Sequence, residues 1–425
     1  MVYFSQLWQR TLNFASAPFL LDRWLLRLPQ GWRITMNFSI RYTVDNAGSP
    51  PSTDTSTTYM PYVYSPLELP DQIRLLRIHP GEPEDPIETS LVTASLDVSP
   101  DYDALSYVWG SHADRCQIWV DGLTVLVPLG GFQALHSLRR SRCERPIWID
   151  AFSINQEDLN DKSHQVRLMC DIYQGARSVV VYLGNATDKT GDAMRALQYL
   201  IQARTETAEP PWMHTELIDV EDVLQDILDR PWFKRIWTVQ EATLARHTIL
   251  VCGEHRLSWY GNLQSLRRIA FRIKSTAISP YFSVASGRKS KLDWSSLLDI
   301  VETQMRQAAR REGAVIHRNQ LDLAFQFRYR QSADPRDNYF ALFGIVENEN
   351  GGRLEFKPDY SISLKELHLR YMEEIQRISE IEDAPPSPTS VLHCSHVSIL
   401  RHLGTLTELK EQLQSPPFQH CITPS

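Results

Sequence analysis

Trp237 and Glu241 are the residues of this 425-residue chain whose types and spacing most directly suggest chemistry. Four positions apart, they share one face of a helix, so the indole can wall a pocket that the carboxylate enters. A carboxylate held in that way can stabilise positive charge developing on a substrate. The same spacing equally suits a packed ring beside a solvated carboxylate, and both readings stand. Asp150 closes an expected strand and can either face a pocket or cap the turn that follows. Asn155 and Gln156, in the loop beyond, suit contacts to a ribose or a phosphate, and Asn155 alternatively caps a helix. Trp109 and Gly110 end another expected strand, with Trp109 as core or pocket wall.

Other chemistries find less support. No Gly-x-Gly-x-x-Gly follows a strand, and no phosphate-binding Gly-x-x-x-x-Gly-Lys loop, His-Glu-x-x-His or Gly-x-Ser-x-Gly occurs. His393-Cys394-Ser395-His396 lacks the ligand spacing of a closed metal site, so no metal is expected. Asp150, Ser153 and His164 make a catalytic triad on paper only, because nothing marks Ser153 as an exposed nucleophile. Arg139, Arg140, Arg142 and Arg145 form a basic cluster, read first as a solvated helix end and second as a phosphate or partner site.

The elements that must position these residues alternate in period. Ile73–Ile78 and 87–96 read as lead-in strands, and Tyr102–Trp109 as a strand ending at Gly110. Residues 118–120 and 123–127 flank Asp121-Gly122, which suits a type I′ hairpin turn. Pro146–Asp150 reads as a buried strand. Val166, Met169, Ile172 and Tyr173 line one helix face that closes at Gly175. Val179–Leu183 is a β-branched strand. Strand, helix and strand with so long a connection imply a parallel βαβ unit, hence an α/β sheet. Helices are expected over 193–203 and 220–228, and strands over 248–252 and 256–259. Beyond lies a mostly helical region in which Asp334-Pro335 and Ser363 start helices.

The chain carries 44 Lys plus Arg against 51 Asp plus Glu, a net charge of −7, which argues against nucleic acid as a partner. Six cysteines without a framework spacing read as reduced thiols of a cytoplasmic protein. No run of 18 apolar residues is present, so no membrane span is expected. Arg10, Arg23, Arg27, Arg33 and Arg41 against Asp22 give the N-terminus the balance of a targeting segment, although a variable extension explains it as well. Polar linkers at 44–60 and from 383 onward divide the chain into an extension (1–61), an α/β domain (62–255, core motifs 102–242), a helical follow-on (256–380) and a tail (381–425) that includes a short amphipathic stretch, Leu403–Leu413.

Four blocks resemble the fungal heterokaryon-incompatibility (HET) domain. They are Tyr102-Asp103-Ala104-Leu105-Ser106-Tyr107-Val108-Trp109-Gly110, the stretch Ile147–Gln156, the stretch Gln165–Gly184, and Arg230-Pro231-Trp232-Phe233-Lys234-Arg235-Ile236-Trp237-Thr238-Val239-Gln240-Glu241. Asp334-Pro335-Arg336-Asp337 and Pro358-Asp359-Tyr360 resemble blocks that often follow. The resemblance implies non-self recognition between fungal cells ending in cell death, with protein partners and a homo-oligomer among the expectations. It departs at Ser153, where the family commonly has Cys, and at Gly130-Gly131-Phe132, where it has an Asn-Leu pair. Without that thiol the expectation moves to a carboxylate.

The order of elements is also similar, more distantly, to TIR domains. In those that cleave NAD, the Glu corresponding to Glu241 is catalytic. The resemblance implies that Glu241 acts on NAD as a substrate, with Trp109, Gly110, Asp150, Asn155, Gln156 and Trp237 around it and no further cofactor. Breaking the ribose–nicotinamide bond passes through an oxocarbenium-like state, and the leaving group is already cationic, so one carboxylate suffices. The alternative is a non-enzymatic adaptor that signals by oligomerising.

Overall fold

The computed structural model describes residues 41–43, 59–110, 114–202, 211, 217–275, 292–314, 323, 326–346, 357–371 and 373. Met36–Leu367 form one compact unit, and the last few described residues fall in another. The four-residue motif at 393–396, the stretch 403–413 and the Arg-rich segment before residue 41 lie outside the described residues.

Eleven strands among the described residues make one sheet. In chain order they are β1 (Arg41–Thr43), β2 (Tyr59–Pro61), β3 (Gln72–Ile78), β4 (Glu88–Ser95), β5 (Asp103–Tyr107), β6 (Arg115–Val120), β7 (Leu123–Pro128), β8 (Arg145–Trp148), β9 (Ser178–Tyr182), β10 (His247–Cys252) and β11 (His255–Tyr260). Their spatial order is β11-β10-β9-β5-β8-β3-β4-β6-β7-β1-β2. The centre is parallel, with β5 between β8 and β9, and β10 beyond β9. All five residues of β5 and of β9 are buried, as expected when both faces of a sheet are covered.

The chain therefore starts this parallel core at β5, steps out to β8, and returns on the other side of β5 to β9 and β10. The direction of winding reverses beside β5, the place where open α/β sheets leave a crevice past the carboxyl ends of their strands. The expected α/β class is met, but the sheet is mixed rather than parallel throughout. β3 pairs antiparallel with both β8 and β4, and β10 with β11. The expected linker and extension also contribute to it, through β1 and β2.

The helices follow the sequence pattern, except that the one expected from Asp334-Pro335 begins at Asp337 and lasts a single turn. They are α1 (Leu129–Leu138), α2 (Asp150–Ser153), α3 (Leu159–Gly175), α4 (Thr190–Gln202), α5 (Leu217–Leu228), α6 (Trp237–Thr243), α7 (Leu263–Ser275), α8 (Ser295–Arg311) and α9 (Asp337–Phe340). Helix α3 crosses from β8 to β9 and buries Val166, Met169, Ile172 and Tyr173, the face expected from spacing. In the β6–β7 hairpin, Asp121 (φ 51°) and Gly122 (φ 76°) both take the left-handed backbone that a type I′ turn needs. Ser363 starts the last helix, its hydroxyl accepting the Glu366 N–H at 3.2 Å. No helix of the described residues is long and apolar enough to cross a membrane.

Two local expectations are corrected. Strand β8 stops at Trp148, and Asp150 opens the one-turn helix α2 instead of ending the strand. Asn155 does not cap α3. Asp158 does, accepting the Asn160 N–H at 2.9 Å and the Asp161 N–H at 3.2 Å.

Candidate functional site

Ser106 is a hydroxyl in the middle of a wholly buried strand, and a buried donor must find a partner. It finds Glu241, to which its Oγ donates. The indole Nε1 of Trp232 donates to the same Oγ at 2.7 Å, so the hydroxyl accepts one bond and gives the other. Pro231 opens the 3-10 turn that carries Trp232 into the core, where its ring meets Phe233 edge-on at 5.0 Å. The next residues start α6, which brings Glu241 back over β5. Glu241 is 3% exposed.

Arg235, between the turn and α6, donates to the carbonyl of Tyr107 at the end of β5. Its charge is felt by both Glu241 and Asp150. Burial pushes the Glu241 carboxyl up to about 7, and the negative charge of Asp150 adds to the rise. Arg235 and the Ser106 hydroxyl hold it down. Burial also raises Asp150, against Arg235, the Trp109 indole, the Ala151 N–H and Lys162. The phenols of Tyr107 and Tyr173 are driven far up by burial, and the two carboxyls add to that. Two acids thus share one arginine in a setting that favours their neutral forms.

Asp150 is half-buried and well held. It accepts the Trp109 indole N–H (3.1 and 3.2 Å to its two oxygens) and the Ala151 N–H (2.8 Å). Gln156 Nε2 donates back to the Asp150 carbonyl at 3.2 Å. Gly110, at φ 78°, lets the chain turn away directly after Trp109. A side chain on Gly130 would come within 2.9 Å of the Val108 carbonyl, so the glycine lets α1 pack close to this strand end. The Asn155 side chain accepts the Glu157 N–H at 3.3 Å, and its backbone N–H goes to Asp161 at 2.8 Å.

Of the expected site residues, then, Trp109, Asp150 and Gln156 are joined by hydrogen bonds, and Asp150 is coupled electrostatically to Glu241. Gly110 and Asn155 flank them along the chain. Trp237 does sit four residues before Glu241 on α6, but it is half-buried and its indole is bonded to the carboxyl of Asp337. Sequence reasoning missed Arg235, Ser106 and Trp232 as working parts. A hydroxyl inside an apolar strand and an Arg inside Trp-Phe-Lys-Arg-Ile-Trp were the available signals.

The remaining candidates have structural duties. Ser153 is fully buried, its Oγ accepting the Ile149 N–H at 3.2 Å, and His164 bonds the Pro70 carbonyl at 2.8 Å, so no triad forms. Arg139 donates to carbonyls of the 82–86 loop, including Asp85 at 2.8 Å and Pro86 at 2.9 Å. Arg145 is buried and ion-paired with Asp103 at 2.8 Å. Neither is a solvated helix end. Among the described residues no group of three His, Cys, Asp or Glu side chains is arranged to hold a metal ion.

A family model described as "Heterokaryon incompatibility protein (HET)" matches residues 102–241. "Heterokaryon incompatibility protein 6, OR allele" of Neurospora crassa is 33% identical over 248 residues, covering 47% of this chain and 36% of that protein. The chain thus spans little more than a third of that relative's length. No solved structure matches the chain.

Proposed function

We propose that this chain, whose residues 102–241 match the heterokaryon-incompatibility (HET) family model, serves fungal non-self recognition and cell-death signalling by hydrolysing NAD through Glu241. The observation that carries this reading is the placement of Glu241. Its carboxyl stands with Asp150 and Arg235 at β5, where the sheet reverses its winding. A carboxyl poised near 7 ionises when a cation comes close, because the approaching charge offsets the cost of desolvation. The pyridinium of NAD and the oxocarbenium-like sugar it leaves behind are such cations.

In the reaction the bond between nicotinamide and ribose C1′ breaks, and nicotinamide departs neutral with the bonding electron pair. Water adds to C1′ and releases a proton, so the products are ADP-ribose, nicotinamide and H⁺. Glu241 stabilises the sugar cation, Trp109 and Asp150 form the more exposed wall, and Gln156 braces Asp150. The site of action is cytoplasmic.

A second reading is favoured by the burial of Glu241. A carboxyl that is 3% exposed and bonded to Ser106 also serves as a polar lock in the core of an adaptor that signals by oligomerising with protein partners. One assay separates the two. The purified full-length chain, concentrated enough to self-assemble, should release nicotinamide from NAD, and Glu241→Gln should cut the rate by about a hundredfold or more. Equal turnover by both proteins removes Glu241 from the mechanism. No turnover by the assembled wild type favours the adaptor, in which case cell death in vivo survives the substitution.

A further inference from the structure

Every side chain at the centre of the site lies at or before residue 241, yet α6 is gripped from behind by residues that come much later. Gln331 forms a parallel bridge with Arg235, accepting the Ile236 N–H at 2.9 Å and donating to the Lys234 carbonyl at 2.6 Å. Gln304 donates to the Ala242 carbonyl at 2.8 Å, and Gly344 to the Gln240 side chain at 3.4 Å. Asp337 takes the Trp237 indole N–H as well as the Tyr360 hydroxyl, the latter at 2.7 Å.

The most consequential of these contacts is Arg330. The residue is 5% exposed, and its guanidinium donates to Thr238 Oγ1 at 3.1 Å, to the Ser296 carbonyl at 2.8 Å and to the Arg235 carbonyl at 3.4 Å. The Thr238 hydroxyl reaches the carbonyls of Trp232 (3.1 Å) and Arg235 (2.8 Å). Trp232 then holds Ser106, and Ser106 holds Glu241. The path from Arg330 to the carboxyl thus runs through hydrogen bonds except at Trp232, where the residue's own covalent frame joins its carbonyl to its indole.

We infer that Arg330, outside the matched family region, is a positioning residue for Glu241, acting through Thr238, Trp232 and Ser106. Removing its fork frees Thr238, lets the Trp232 turn relax, and loosens the hydroxyl that Ser106 offers to the carboxylate. The inference rests on reading Glu241 as the working carboxylate, but it concerns how that group is held, not which substrate it meets.

The test reads the titration of Glu241 without any assay of turnover. The groups facing it are Arg235, Asp150, Ser106, Tyr107 and Tyr173. Stability of the full-length chain is measured from pH 5 to pH 8.5, and the difference between wild type and Glu241→Gln gives the midpoint of the carboxyl. Arg330→Met should move that midpoint upward by about half a pH unit or more, since a hydrogen bond to the charged form is weakened. Arg330→Lys, which keeps one donor toward Thr238, should show a smaller upward shift than Arg330→Met. The effect should vanish when Glu241→Gln is already present. If Arg330→Met does not fold, Thr238→Val, which keeps the shape and removes the hydroxyl, is expected to give the same upward shift. A loss of stability that is equal at every pH and in both backgrounds overturns the inference. Absence of NAD turnover bears on the proposed reaction alone and leaves this readout unchanged.

Discussion

Ser106 donates its hydroxyl hydrogen to Glu241 across 135 residues of sequence. The bond joins the central strand of the parallel core to α6, the helix that ends its last crossover just before β10. Burial of that carboxyl, working against the bond, sets the sign of the protein's response to pH. A carboxyl pushed up to about 7 keeps its proton in the folded state over a range where the unfolded chain has already lost it. Stability is therefore complete below the unfolded value of about 4.3 and is lost as pH rises toward 7.

Glu241→Gln should for that reason stabilise the protein in alkaline buffer. The gain should approach about 3 kcal/mol above pH 7.5 and shrink to almost nothing at pH 4.5. Denaturant titrations of both proteins at the two pH values measure it. A substitution that destabilises equally at both would mean that the carboxyl is ionised in the fold.

The strands, the hairpin and the face of α3 were legible because their signals are local. Alternation, Asp121-Gly122 and the spacing of Val166, Met169, Ile172 and Tyr173 each lie within one element. Trp237 and Glu241 were correctly placed on one helix. What the spacing could not convey is that the indole is taken by Asp337, a hundred residues later. Arg235 was equally hidden, because its meaning depends on Tyr107, Asp150 and Glu241 arriving from three other elements. Asn155 and Asp158 are both good caps by type, and only the path of the chain decides between them.

Asp103 offers a second test at the opposite ends of the same strands. Its carboxylate pairs with the buried Arg145 at 2.8 Å and with Arg177 at 2.9 Å. Asp103→Asn leaves the Arg145 charge buried without a counter-ion, so unfolding should become easier by about 3–5 kcal/mol. The midpoint of urea unfolding reports it, and nicotinamide release per folded molecule should stay near wild type.

His247 predicts the acid side. Burial lowers its pKa against the pull of Asp103, its Nδ1 bonds Ser178 at 3.0 Å, and its Nε2 is buried without a partner. The unfolded chain takes up this proton first, so stability falls as pH drops below about 6.5. His247→Gln should flatten that part of the profile in thermal melts between pH 7 and pH 5.

Gly253, in the tight turn from β10 to β11, has φ 55°, and a Cβ there would lie 2.7 Å from that of Ala186. Gly253→Ala combines backbone strain with a clash and should cost about 1–3 kcal/mol. An unchanged melting temperature would show that the 186 loop gives way.

The place of β3 in the sheet carries a practical consequence. It covers the outer side of β8, pairing Leu76 with Ile147 and Ile78 with Arg145, although it lies before the first residue of the family match. A fragment cut to residues 102–241 would lose that cover and present β8 as an open, apolar strand edge with unpaired backbone groups. Such an edge recruits other chains. The same cut takes β10 away from β9, so clumping of the shortened fragment would reflect the missing neighbours of β8 and β9, and would be easily mistaken for the self-assembly of a signalling protein.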